Sequence, residues 1–192
     1  MMPSRAPHGR WWLRAAGLAM ACALMVWPGS LAAAPQGVAP DVLVKAAFIF
    51  NFAKFTEWPT LPPTASIITC VVGDDEMAAA LVATIRGQQI SGRAVEVLQP
   101  ADPATWPACN LLFVADRETR QAAGGLTTVK TRPVLTVSDS KDFARSSGII
   151  ELYLEQGRMR FAINTDAAER AGLHISSRLL GLARVIRDRD AQ

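Results

Sequence analysis

Followed as a pattern of apolar and polar positions, the chain is dominated by residues 45–59, KAAFIFNFAKFTEWP, where four phenylalanines, an isoleucine and a tryptophan fall within fifteen positions. No glycine or proline interrupts the run before Pro59, and its alanines favour helix. The pattern predicts a helix that starts near Asp41, as N-cap, and ends before Pro59, because the residue preceding a proline is pushed out of the α region. Lys45, Asn51, Lys54 and Glu57 scatter around the helical wheel, so the helix is expected to be buried on more than one side. It is too short and too interrupted by charge to cross a bilayer, which takes about 20 apolar residues. A core helix is the expected role; a face that also docks a partner is the sharper alternative.

The rest of the pattern alternates strands and helices. Residues 66–72 form an apolar, β-branched run ended by Gly73, which reads as a buried strand. Asp74, Asp75 and Glu76 open a helix that runs to Ile85 and is stopped by Gly87. A turn at 89–92 leads to a strand at 94–98, and the loop 100–107 carries prolines. Residues 110–115 and 133–137 read as two further buried strands, separated by a helix over 116–126 broken at Gly124-Gly125. Residues 142–147 are irregular or a short helix. Residues 148–154 and 158–164, joined by Glu155-Gln156-Gly157, read as an antiparallel hairpin. A short helix over 166–171 ends at Gly172. Ser176 or Ser177 caps a last helix reaching about residue 187, with Leu179, Leu182, Ala183 and Ile186 on one stripe. This succession predicts a single α/β domain: a mainly parallel sheet flanked by helices, with an antiparallel hairpin on its edge.

The N-terminus changes the charge picture. Arg10 and Arg14 precede an apolar run over 15–26, followed by Pro28, Gly29 and small residues, which is the pattern of a secretory signal peptide over residues 1–32, cleaved after Ala32. An uncleaved anchor needs a longer run, and the residues before Cys22 are a poor lead-in to a lipoprotein cysteine. Residues 33–40 read as a small-residue and proline linker, and 41–192 as the domain. The whole chain carries 20 basic and 17 acidic residues, net +3. Arg5, Arg10 and Arg14 lie in the leader, which has no acid, so 17 basic residues remain against 17 acidic ones. The basic balance belongs to the leader and gives no argument for a nucleic-acid or anionic-membrane partner.

Beyond the leader, two cysteines, Cys70 and Cys109, and one histidine, His174, remain. An even cysteine count in an exported chain suggests a disulfide, with two buried thiols as the alternative. The sequence has no glycine-rich dinucleotide loop, Walker loop, C-x-x-C, H-E-x-x-H or G-x-S-x-G. A Ser-His-Asp triad would have to use His174, which reads more simply as a surface or capping residue, and Cys70, Cys109 and His174 lack zinc-ligand spacing. Asp74, Asp75 and Glu76 follow a strand where an open α/β sheet places its site. They are also what capping and the helix dipole favour. Arg158, Arg160 and Arg178 are placed to read an anion or to form a solvated face. No catalytic residue, metal ligand or cofactor site is identified. An exported domain without such apparatus is expected to bind rather than to catalyse, and a hydrolase using His174 or Asp74 ranks last.

Several stretches together resemble a known family. VKAAFIFNFAKFTEWP at 44–59, CVVGD at 70–74, PVLTVSD at 133–139 followed by Phe143, RFAIN at 160–164, AERAGL at 168–173 and ISSRLL at 175–180 resemble, in order, the signatures of the YfiR/HmsC family of periplasmic proteins. The resemblance implies a small dimeric α/β domain without enzymatic activity. It implies a regulator that binds and represses the periplasmic sensor region of an inner-membrane diguanylate cyclase and so controls cyclic-di-GMP and biofilm formation. An outer-membrane lipoprotein of the OmpA type would sequester the repressor. It also implies that Cys70 and Cys109 form a stabilising disulfide. Some members carry a second cysteine pair near the hairpin; this chain has none there, and has Ser147-Gly148 where Gly-Gly is frequent. Tyr153, Arg160 and Leu173, on the hairpin and C-terminal segment, are the expected partner contacts. The rival expectation is a periplasmic small-ligand receptor feeding a sensor kinase or transporter.

Overall fold

The computed structural model describes residues 39–146 and 148–188. The leader, its cleavage position, most of the linker and Ser147 lie outside the described residues.

The phenylalanine-rich run forms α1 (Pro40–Lys54). Its cap is Ala39, without a side-chain bond, and Asp41 lies in the first turn, where its charge suits the helix dipole. Proline is tolerated at Pro40 because a first-turn amide has no helical partner. The helix ends earlier than Pro59 requires. Phe55 closes it, and Thr56–Glu57 (β1) pairs antiparallel with His174–Ile175 (β9), Thr56 opposite Ile175 and Glu57 opposite His174. The amide of Ser176 adds a bond to the carbonyl of Phe55 at 2.9 Å. A pairing with residues about 120 positions away thus overrides the local boundary signal. Burial is also narrower than the helical wheel suggests. Val42, Ala46, Ile49, Phe52 and Ala53 are buried, whereas Phe48, Phe50 and Phe55 are half-buried and Leu43 and Val44 are exposed.

The other elements are β2 (Ile67–Val72), α2 (Asp75–Ile85), β3 (Gln89–Ile90), β4 (Arg93–Leu98), β5 (Leu111–Val114), α3 (Ala123–Val129), β6 (Leu135–Ser138), α4 (Phe143–Ser146), β7 (Ile150–Glu155), β8 (Arg158–Asn164), α5 (Thr165–Arg170), α6 (Ser177–Leu180) and β10 (Arg184–Ile186). Two 3-10 turns, Pro103–Ala108 and Asp116–Glu118, flank β5. Among the described residues the main sheet has the order β10-β8-β7-β6-β5-β2-β4-β3. Strands β4, β2, β5, β6 and β7 run parallel; β3 is antiparallel to β4, and β8 to β7. The sheet is therefore mainly parallel with helices about it, as the alternation predicts.

Two layers cover this sheet, and the period-2 alternation of strand side chains assigns each residue to one of them. Ile67, Val71, Leu111, Phe113, Leu135 and Val137 join α1 and α2 in the larger core. Cys70, Leu112 and Val114 face Trp106, Leu126, Val129 and Phe143 in the second. Phe48, Phe52 and Phe161 form an aromatic cluster with ring centroids 5.0–6.0 Å apart, fastening α1 to β8. Trp58 fixes the end of this segment by donating its indole N–H to the Asn110 carbonyl at 3.1 Å.

Two further expectations change. The Gly124-Gly125 pair does not break a helix; both lie inside α3, which starts later than expected. The last helix is a single turn, and residues 184–186, expected to continue it, form β10 parallel to β8 outside the hairpin, with Arg184 opposite Ala162 and Ile186 opposite Asn164. The stripe assigned to that helix is consequently lost, and Leu182 is 73% exposed.

Candidate functional site

The carboxylates after β2 all serve the fold. Asp74 caps α2 by accepting the Met77 amide at 2.9 Å, Asp75 accepts the Gln99 amide at 2.7 Å, and Glu76 accepts the Ala39 amide at 2.8 Å. The chain reverses its order beside these residues, since β4 lies on one side of β2 and β5 on the other. In an open α/β sheet such a switch point is a common crevice for ligands. Here it is closed: the Arg117 guanidinium donates to the Gly73 carbonyl, and the Glu118 side chain occupies the space a Cβ on Gly73 would need, at a position whose φ of +79° already favours glycine. His174 is exposed on β9, its Nδ1 4.0 Å from the Glu57 carboxylate, while Ser176 accepts the Arg178 amide as a cap. These groups do not converge as a nucleophile and base. Among the described residues, no three His, Cys, Asp or Glu side chains are grouped to hold a metal. Cys70 and Cys109 are joined in a disulfide, with Cα atoms 5.9 Å apart.

The hairpin offers a different kind of site. Strand β7 is paired with β8 along its length, from Ile150–Ile163 to Glu155–Arg158. On its other side β6 reaches only Ile150 and Glu151, because the chain turns after Ser138, whose Oγ accepts the Ser140 amide at 3.0 Å. Residues 152–155 therefore outrun the sheet, with no strand of the described residues along their second edge. A cleft of about 280 Å³ lies against this edge, with Asp41, Lys45, Asp139 and Lys141 among its lining residues. Lys45 and Asp139 form an ion pair at 2.6 Å, and Asp139 also accepts the Asp116 amide at 2.9 Å, so α1, β6 and the loop after β5 are tied together at the cleft.

Of the expected contact residues, Tyr153 and Arg160 are brought together as direct partners across β7 and β8. Tyr153 is half-buried beneath the Arg184 guanidinium, 4.5 Å from the ring centroid. Arg160 is exposed and lies 3.7 Å from Glu155. Leu173 is not with them: it is buried in the larger core, 2% exposed. Leu154, which sequence reasoning passed over, is 67% exposed at the overhang. Its place follows from where β6 stops, and nothing in its own neighbourhood signals it.

Comparison with known proteins agrees with the signatures. The family described as YfiR/HmsC-like matches residues 43–184. Among solved structures, the chain is similar to the ABC domain in complex with L-Trp from Streptococcus pneumonia, with a TM-score of 0.45 and 10% identity over 76% of this chain and 62% of that one. It is also similar to a conserved domain protein from Vibrio cholerae, with a TM-score of 0.45 and 14% identity over 75% of this chain and 59% of the other. The chain thus spans less than two thirds of the length of either structure. With a family match over most of its length, this protein belongs to the YfiR/HmsC-like family.

Proposed function

We propose that the protein represses an inner-membrane diguanylate cyclase by holding an extended segment of the cyclase's periplasmic sensor region against the overhanging edge of β7. The observation that carries this reading is the unpaired edge of residues 152–155 beside the charged cleft. A free strand edge offers backbone donors and acceptors to another chain, and β-augmentation uses them for affinity while neighbouring side chains confer selectivity. Tyr153, Leu154 and Arg160 supply those side chains. Lys45 and Lys141, against Asp41 and Asp139, set the charge pattern a partner must match. Repression then works by linkage: a protein that binds only the inactive cyclase lowers the active population by its differential affinity for the two states. Removal of the repressor by an OmpA-type outer-membrane lipoprotein, and a homodimeric repressor, belong to the same reading.

Biolayer interferometry against the periplasmic domain of an inner-membrane diguanylate cyclase from the same organism tests the contact. Saturable binding is expected, lost in the Tyr153→Asp/Leu154→Asp double variant while its unfolding midpoint stays near that of the parent. Equal binding by parent and double variant would place the contact elsewhere. Deleting the gene should raise cellular cyclic-di-GMP; an unchanged level would remove the repressor role altogether.

A further inference from the structure

A second concavity, unrelated to the strand edge, lies on the flank of α1. It has a volume of about 410 Å³ and is walled by Val44 and Phe48 of α1, Phe55 at its C-cap, Phe161 of β8, and Leu179 and Leu182 at α6. This size and lining fit a small-molecule site, where apolar walls supply most of the contact and a few polar groups fix orientation. The positions on α1 and its C-cap advance from Val44 to Phe55, which at 1.5 Å per residue is about 16 Å of helix axis, so the hollow is long rather than round. Asn51, also on its lining, turns its amide back to the Ala47 carbonyl at 2.9 Å.

Charge is the second feature. Among the described residues lining the hollow, Arg178 is the one charged side chain, and no carboxylate is among them. Arg178 belongs to the Phe55 end, because the Ser176 amide is bonded to the Phe55 carbonyl two residues earlier. A long apolar trough with a guanidinium at one end is complementary to a single-chain molecule with an anionic head. Guanidinium and carboxylate are matched in geometry, two parallel N–H donors facing two oxygens.

We propose that this trough binds a free single-chain carboxylic acid of the fatty-acid class, with its carboxylate at Arg178 and its chain along Val44, Phe48 and Phe55. The proposal does not depend on the cyclase reading, since neither Arg178 nor Leu182 belongs to the cleft beside β7. Both residues are exposed, so the test variants do not disturb the core.

Isothermal titration calorimetry of the purified protein with decanoate below its micelle concentration is the test, with decanol and decyltrimethylammonium as uncharged and cationic controls. Saturable one-to-one binding of decanoate is expected, at least tenfold weaker to Arg178→Gln and abolished in Leu182→Glu, with both controls at least tenfold weaker than decanoate. Equal affinity of Arg178→Gln and parent, or equal affinity for all three amphiphiles, would overturn the proposal. So would absence of saturable decanoate binding, and either of two further results would then say what covers the trough instead. One is a dimer, by light scattering, that Leu182→Glu dissociates, since a second copy would then fill the trough. The other is flotation with phosphatidylglycerol vesicles that Leu182→Glu abolishes, since a membrane would then cover it.

Discussion

Gly124 and Gly125 are neighbours in α3 with opposite surroundings. A Cβ built on Gly124 meets nothing within 4 Å, whereas one on Gly125 would lie 2.5 Å from the Trp106 ring and 2.8 Å from Pro103. The indole is buried, and its Nε1 has no hydrogen-bond partner among the described residues. Gly125 therefore permits a close approach between a helix and a 3-10 turn. Two substitutions separate this from helix propensity. Gly124→Ala should stabilise the protein by up to about 1 kcal/mol, the ordinary gain of alanine over glycine in a helix. Gly125→Ala should destabilise it by about 1–3 kcal/mol through overpacking. Urea unfolding of the two variants checks both signs; equal effects would mean that Trp106 yields without cost. Sequence reading takes the pair as a helix stop because glycine reports backbone freedom locally, while its use for close packing depends on a residue 19 positions away.

Among the elements, β10 has the slightest attachment relative to its consequence. Its three residues pair with β8, and the chain is then fastened by Asp188, whose carboxylate accepts from the Asn164 amide at 3.1 Å and from the Arg170 guanidinium. The Asp188 amide in turn donates to Asp166 at 3.0 Å. Asn164 is nearly buried and also caps α5 through the Ala167 amide, so the fastening is built on a fixed side chain. The Asn164 hydrogen bond, and after it Arg170, hold the Asp188 carboxyl below its ordinary range. A carboxyl lowered in the folded state contributes stability that is complete above its ordinary pKa and is lost as the pH falls through the lowered value. The pair is half exposed, so its effect is local and weakened by salt. Hydrogen exchange at the amides of Val185 and Ile186 should accelerate in acid below the ordinary carboxylate range relative to the rest of the sheet. The Asp188→Asn variant should exchange faster already at neutral pH, with a flatter acid dependence. Identical profiles for variant and parent would show that pairing alone retains β10.

At the scale of the whole molecule, the disulfide ties β2 to the turn before β5 across a separation of 39 residues, on the side of the sheet opposite α1. The chain-entropy account gives about 4 kcal/mol for closing a loop of that length, less any native strain. Cys70→Ser should lose up to that amount in urea unfolding and match the fully reduced parent; two free thiols in protein prepared under oxidising conditions would remove the premise. Both sulfurs lie in the smaller core with Trp106 and Leu126, so reduction loosens that layer first and leaves the α1 side to its own aromatic packing.

The sequence by itself determined what depends on neighbours along the chain. Apolar β-branched runs become buried strands, Glu155-Gln156-Gly157 turns the hairpin, with positive φ at Gln156 and Gly157, and Asp74 caps α2. Ordered signatures spread over the chain were enough to carry the family. The tertiary structure alone decided where α1 stops, that residues 184–186 leave the helical state, that Leu173 turns inward, and that β7 outruns β6. Each of these is settled by a partner far along the chain: β9 for the end of α1, β8 for β10, the core for Leu173, and the turn after Ser138 for the free edge. Local preferences differ by a few tenths of a kcal/mol to about 1 kcal/mol per residue, so a few long-range hydrogen bonds and a buried side chain are enough to reverse them.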